Sequence, residues 1–112
     1  MEKDPKIFLG HILESIEAIE RYANGQTFDT FLQSTKDQDA VIRRIEIIGE
    51  AVKNLPEQFK RQYPDVPWQD AADMRDKLIH EYFDVDAHIA WDTIQNDLPE
   101  FKRKIEEILG KR

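Results

Sequence analysis

The 112-residue chain has no cysteine, only four glycines and five prolines, and apolar runs that extend over no more than a few residues. The absence of cysteine excludes disulfide bonds, a thiolate zinc site and a cysteine nucleophile, and it is consistent with a reducing cytosol. Runs as short as Ile7-Phe8-Leu9 are too short to span a bilayer or to form the apolar part of a secretory signal. We therefore expect a cytoplasmic protein with no membrane segment.

The chain also has fewer basic than acidic residues. The chain has 16 lysines and arginines against 23 aspartates and glutamates, which gives a formal net charge of −7 at pH 7. A protein of this charge is repelled at long range by a phosphate backbone, so a general nucleic-acid coat is excluded and DNA is not an expected ligand. Any activity on a nucleic acid requires a locally basic site.

The apolar residues recur at three- and four-residue steps almost throughout, and no segment alternates apolar with polar residues. This pattern predicts an all-α protein, an up-and-down helical bundle formed by residues 1–112 as one domain. A chain of this length can bury about 65% of its unfolded surface, which is enough for a core without metal or disulfide support. The first helix is predicted to begin at Asp4-Pro5 and to end at Asn24-Gly25, and its apolar stripe comprises Ile7, Phe8, Ile12, Ile16, Ile19 and Tyr22.

A short helical turn from Thr27 to Gln33 is predicted to cover the core with Phe28, Phe31 and Leu32, before Ser34 or Thr35 caps a long helix. Gly49 lies in the middle of that helix, where it costs about 1 kcal/mol relative to alanine. We therefore expect another helix to approach closely at Gly49. Three further helices are predicted: Pro56 to Gln62, Trp68 to about Tyr82, and Asp86 to Leu109, where Pro99 resets the helix and Gly110 ends it.

Cationic, imidazole, carboxylate and phenol groups crowd the segment from Arg75 to Tyr82. Asp76 and His80 are one helical turn apart, so the carboxylate can fix the tautomer of the imidazole and raise its pKa. Arg75 lies about 140° around the helix from His80, which makes the two residues adjacent rather than stacked. Taken alone, the same residues are also typical of a structural ion-pair network at a helix end.

Arg75, His80 and Tyr82 form the pattern R-x4-H-x-Y, and here the sequence resembles the HEPN-domain toxins, specifically the HepT-like ribonucleases. The resemblance extends over nearly the whole chain, and its flanks include Pro67-Trp68, Asp76, Phe83, Trp91-Asp92 and Asp97-Leu98-Pro99. It implies a homodimeric HEPN-like bundle that cleaves RNA without a metal or cofactor, with Arg75 and His80 as catalytic residues. It also implies the toxin of a HepT/MntA-like toxin–antitoxin system, neutralised by a nucleotidyltransferase antitoxin that AMPylates Tyr82.

The chemistry of these side chains is compatible with that activity. RNA cleavage without metal requires a base for the 2′-hydroxyl, a cation for the phosphate oxygens and an acid for the leaving oxygen. His80 can move protons and Arg75 can clamp a phosphate bidentately, while Asp76 orients groups and Lys77 adds positive charge. A single histidine does not readily act as base and acid across an in-line geometry, so two facing copies of the motif, and hence a dimer, are favoured.

Two alternatives stay open on the residues alone. The protein could be a non-catalytic dimeric adaptor that binds a nucleotidyltransferase or a nucleotide, and the ring of Tyr82 could pack under the last helix instead of accepting AMP. The remaining candidates favour structural roles: isolated histidines without metal-ligand spacing, basic clusters interleaved with glutamates, and tryptophans on apolar stripes. These residues are His11 and His88, the clusters Arg43-Arg44, Lys60-Arg61 and Lys102-Arg103-Lys104, and Trp68 and Trp91.

Overall fold

A computed structural model describes residues 4–80 and 87–110, without the side chains of residues 77–80. Every regular element in this part of the chain is a helix, which confirms the predicted all-α class. No helix among these residues is both long enough and apolar enough to cross a membrane. In chain order the helices are α1 (Pro5–Ala23), α2 (Phe28–Leu32), α3 (Thr35–Asn54), α4 (Glu57–Arg61), α5 (Trp68–His80), α6 (Ala87–Asp92), a π-helical segment (Thr93–Asp97) and α7 (Leu98–Ile108).

Local capping chemistry sets the ends of the helices. The Asp4 side chain accepts a hydrogen bond of 2.9 Å from the backbone N–H of Lys6, and proline occupies the first position of α1. At the start of α3 the hydroxyl of Ser34 accepts a hydrogen bond of 3.2 Å from the N–H of Asp37, so Ser34 rather than Thr35 is the cap. Gly25 and Gly110 follow α1 and α7 with φ values of +79° and +75°, where glycine avoids the strain that a side chain would bring.

The core lies where α1 and α3 pack against each other, with α5 against α3 and α7 against α1. Phe31 of α2 is fully buried in it, as predicted. Two predicted core residues are exposed instead: Ile7 retains 48% of its accessible surface and Leu32 retains 52%. The buried stripe of α1 is shifted to the other edge of its apolar face, and it comprises Leu9, Ile12, Leu13, Ile16 and Ile19.

A π-helical segment joins α6 to α7 because Pro99 interrupts the regular helix. Proline has no backbone N–H, so the carbonyl four residues before Pro99 has no helical donor. The helical turn is wider by one residue here, and the N–H of Leu98 donates a hydrogen bond to the carbonyl of Thr93, five residues earlier. The Thr93 hydroxyl donates to the carbonyl of Ile89 at 2.9 Å. Helix α7 therefore restarts at Leu98, as the position of Pro99 predicts.

Candidate active site

The predicted close approach at Gly49 is confirmed, and the approaching helix is α5. A Cβ atom built on Gly49 would lie 2.1 Å from Cβ and 2.7 Å from Cγ of Arg75, and 3.2 Å from the carbonyl oxygen of Ala71. Carbon atoms in contact are normally about 3.5 to 4.0 Å apart, so only glycine leaves room for this crossing. The absence of one side chain on α3 thus determines where the stem of Arg75 lies.

The guanidinium of Arg75 is held by carboxylates on two helices. Its Nη2 atom lies 3.1 Å from Oε2 of Glu50 on α3, and its Nη1 atom lies 3.2 Å from Oδ1 of Asp76, the next residue of α5. The Nε atom is buried without a hydrogen-bond partner among the described groups. The side chain keeps 27% of its surface exposed. Arg75 is therefore oriented by its neighbours while part of the guanidinium still faces solvent.

Asp76 is shared between Arg75 and a second cation. The Nζ atom of Lys53 lies 2.5 Å from the same Oδ1 atom of Asp76 that Arg75 contacts. The hydrogen bond from Lys53, and secondarily the one from Arg75, lowers the pKa of Asp76 below its usual value. Asp76 therefore links α5 to α3 as a carboxylate. Its predicted contact with the imidazole of His80 stays a prediction.

Several of the proposed site residues lie outside the described part of the structure. The backbones of Lys77 and His80 belong to α5, but their side chains are not described. Tyr82 falls within residues 81–86, which are not described. The structure therefore brings together Arg75 and Asp76 of the predicted set, and the predicted positions of the other three side chains stay predictions.

Arg75 also lines a cleft of about 420 Å³ between α1, α3 and α5. His11 of α1 and Arg43 of α3 line the same cleft, and both are exposed. His11 is isolated in the sequence, because its neighbours along the chain provide no partner. Only the crossing of α1 with α3 brings it to this cleft. The carboxylates of Glu46 and Glu50 share the lining, so the cleft combines positive and negative groups.

The other candidates have the structural surroundings that their sequence context predicts. His88 stacks on Phe28 with ring centroids 4.4 Å apart, and Trp68 is buried, with 7% of its surface exposed. Lys102 pairs with Glu20 at 2.9 Å, while Arg103 pairs with two glutamates of its own helix. Among the side chains that the structure describes, no three histidine, aspartate or glutamate residues converge as a metal-binding group.

Comparison with known proteins identifies the family of this chain. The family described as "Ribonuclease HepT-like" matches residues 12–108. A "Probable ribonuclease HepT" of Thermococcus cleftensis is 48% identical over 108 residues, covering 96% of this chain and 98% of the relative. A "Putative RNase" of Caldanaerobacter subterraneus is 45% identical over 109 residues, covering 97% of both chains.

A longer relative shares the same region. The "Gamma-glutamylcyclotransferase and putative RNase" of Methanocaldococcus jannaschii is 53% identical over 109 residues, which are 97% of this chain but 49% of that protein. The chain thus spans about half the length of this relative. No solved structure gives a significant match. The match of the family over residues 12–108, together with relatives of nearly the same length, shows that the chain belongs to the HepT-like ribonuclease family.

Proposed function

We propose that this chain is a single HEPN-like domain that acts as a metal-independent endoribonuclease, with Arg75 and His80 as its catalytic residues. The observation that carries the proposal is the placement of Arg75. Its stem is fixed over Gly49, its guanidinium is oriented by Glu50 and Asp76, and part of it faces an open cleft. Membership of the HepT-like family and the R-x4-H-x-Y pattern support RNA as the substrate.

The proposed reaction is an in-line transfer within the RNA chain. A base removes the proton of a 2′-hydroxyl, whose oxygen bonds to the adjacent phosphorus while the bond to the 5′-oxygen breaks. An acid returns a proton to that 5′-oxygen, so the products are a 2′,3′-cyclic phosphate and a 5′-hydroxyl. Arg75 stabilises the additional negative charge on the phosphate oxygens, and Lys77 adds positive charge nearby. Asp76 acts as a positioning residue for Arg75.

His80 is the proposed proton carrier, and two copies are proposed for each reaction. Base and acid lie on opposite sides of the phosphorus in an in-line transfer, so one imidazole does not readily serve both roles. A homodimer in which two Arg75-to-Tyr82 segments face each other supplies two histidines and two arginines. Light scattering at micromolar concentration tests this arrangement. A strictly monomeric protein that still cleaves RNA would contradict it.

We further propose that the protein is the toxin of a toxin–antitoxin pair and that a nucleotidyltransferase neutralises it through Tyr82. The phenol oxygen would bond to the α-phosphorus of ATP as the bond to pyrophosphate breaks, and the phenol would lose its proton. Each AMP added in this way brings a phosphodiester with about one negative charge and a purine-sized obstacle. Both effects oppose the binding of an RNA phosphate to Arg75.

Cleavage of labelled RNA by the purified protein tests the proposal most directly. The wild-type protein should generate 2′,3′-cyclic phosphate ends in the presence of EDTA, whereas His80→Ala should generate none. Arg103→Ala is the matched control for loss of a surface cation, because Arg103 is paired with Glu100 and Glu107 away from the cleft. If the wild-type protein binds a nucleotidyltransferase without cleaving any RNA, the adaptor function replaces the nuclease.

A further inference from the structure

A second groove lies on the side of α5 that faces α7, apart from the cleft that Arg75 lines. Its volume is about 560 Å³. Helix α3 packs against α5, and α7 packs against α1. Among the described side chains, Trp68 of α5 meets Phe101 of α7 edge-on, with ring centroids 6.2 Å apart. The space between the two helices is lined by apolar side chains from three elements. These are Ile45 and Ile48 of α3, Ala71 and Met74 of α5, and Leu98 and Phe101 of α7.

The rim of this groove is strongly acidic. Five carboxylates line it, and Lys104 is the one lysine among the lining side chains that the structure describes. Lys104 is already engaged, since it donates a hydrogen bond to the carbonyl of Asp65 and lies 3.9 Å from Oε1 of Glu100. Glu100 is further paired with Arg103. The other four carboxylates form no ion pair with any cation whose side chain the structure describes, and they are Asp65, Asp70, Asp73 and Asp97.

These acids stand on both sides of the apolar floor. Asp70 and Asp73 belong to α5, while Asp97 ends the π-helical segment on the opposite side. The widened turn before Pro99 places Asn96 and Asp97 on the lining together. The groove is thus a strip of apolar surface between two acidic edges, and a volume of several hundred Å³ is typical of sites that bind a ligand.

We propose that this groove, which we call the acidic groove, docks a basic amphipathic segment of a partner protein. Apolar side chains of the segment would lie on Ile48, Met74 and Leu98, and its lysines or arginines would lie against the rim carboxylates. RNA is not the occupant, because its phosphates carry the same sign of charge as the rim. A second copy of this chain seated groove to groove is disfavoured as well, because two acidic rims would then face each other.

The two methionines of the chain make the acidic groove directly observable. They are Met1 and Met74, so selective ¹³C labelling of methionine methyl groups gives a spectrum in which one signal reports on the groove. The probe is a synthetic amphipathic helical peptide with leucines on one face and lysines on the other. A peptide with the same leucines but glutamates in place of the lysines is its control. The lysine peptide should shift the Met74 signal to saturation, and the glutamate peptide should leave it unchanged.

Two double variants that remove the same number of charges distinguish binding in the groove from the general attraction of an acidic protein for a basic peptide. Asp70→Asn/Asp97→Asn removes two carboxylates from the rim, whereas Glu14→Gln/Asp39→Asn removes two exposed carboxylates that do not line it. The groove pair should weaken binding of the lysine peptide about fivefold or more, and the control pair less than about twofold.

Three outcomes would overturn the proposal. The first is equal weakening by both pairs of variants, which would mean that only the overall charge of the protein attracts the peptide. The second is displacement of the peptide by an RNA oligonucleotide, which would identify a nucleic-acid surface. The third is loss of the peptide-induced Met74 shift when the protein dimerises, which would mean that a second copy occupies the groove. These results do not depend on RNA cleavage, so the proposal and the proposed ribonuclease activity can fail separately.

Discussion

Replacing Gly49 with alanine tests whether the crossing of α3 with α5 fixes the position of Arg75. The new Cβ atom would lie 2.1 Å from Cβ of Arg75, which is about 1.4 Å less than the closest comfortable carbon contact. The obstructing atom is attached directly to the backbone of α5, so rotation of a side chain does not relieve the contact. Helix α5 must move, and Arg75 must move with it.

Two opposing effects determine how much Gly49→Ala changes the free energy of unfolding. Overpacking in a well-packed contact costs about 1 to 3 kcal/mol, and alanine regains about 1 kcal/mol of helix propensity relative to glycine. We expect the free energy of unfolding of Gly49→Ala to fall by about 0 to 2 kcal/mol. A displacement of about 1 Å at a catalytic group costs about a hundredfold in rate, so RNA cleavage should fall far more than stability does.

Gly10 provides the matched control within the same chain. It also lies inside a long helix, but a Cβ atom built on it meets nothing within 4 Å. Gly10→Ala should therefore raise the free energy of unfolding by about 1 kcal/mol and the Tm by about 4 °C, with RNA cleavage unchanged. Calorimetry measures the stability of both variants, and a single-turnover assay measures their rates of RNA cleavage. Equal stabilisation by the two substitutions, with full activity in Gly49→Ala, would refute the reasoning.

Three further predictions concern the proposed site residues Arg75, His80 and Tyr82. Arg75→Ala and Arg75→Lys should each slow RNA cleavage about a hundredfold, because neither retains the bidentate guanidinium, whereas Arg103→Ala should cleave at the wild-type rate in the same single-turnover assay. His80→Ala should lose cleavage to a similar extent while the wild-type rate is unaffected by EDTA, and a metal requirement would count against the mechanism. Co-expression with a nucleotidyltransferase should add AMP to Tyr82, and mass spectrometry that finds AMP on a Tyr82→Phe protein would assign the modification elsewhere.

The sequence predicts the ends of the helices correctly because their physical cause is local. Asp4, Ser34 and Gly110 act within one helical turn of their own position, so the residue type alone indicates the helix end. Gly49 also indicates a close approach by another helix, because a glycine in a helix interior needs a compensating contact. The sequence did not reveal that α5 is the helix that fills the space, since that depends on how the helices cross.

The predictions that were wrong, such as the burial of Ile7, failed because burial depends on tertiary packing. The apolar face of α1 is wider than the surface that its neighbours cover, so periodicity alone did not show that Leu9 is buried while Ile7 is exposed. The same limit applies to the site. Glu50 and Lys53 lie more than 20 residues before Arg75 and Asp76, and no spacing rule connects acids and bases on two different helices. Their pairing appears only after the glycine crossing brings α3 and α5 together.

The shared carboxylate of Asp76 predicts a specific dependence of stability on pH. The hydrogen bond from Lys53, and secondarily the one from Arg75, lowers its pKa in the folded protein below the usual value, so the folded state favours the ionised form. The resulting stabilisation is fully present above the unfolded pKa of about 3.9, and it is lost as the pH falls through the lower folded pKa. Asp76→Asn should therefore destabilise the protein at about pH 6, and its difference from the wild type should shrink as the pH falls below about 4.

Urea unfolding of both proteins across that pH range measures the effect. Asp39→Asn removes an exposed carboxylate that lies outside the cluster, and it corrects for the change in net charge. If the difference between Asp76→Asn and the wild type is constant with pH, the Asp76 carboxylate does not gain stability from Lys53 and Arg75. A difference that shrinks in acid for Asp76→Asn but not for Asp39→Asn attributes the link between α3 and α5 to the charge of this one side chain.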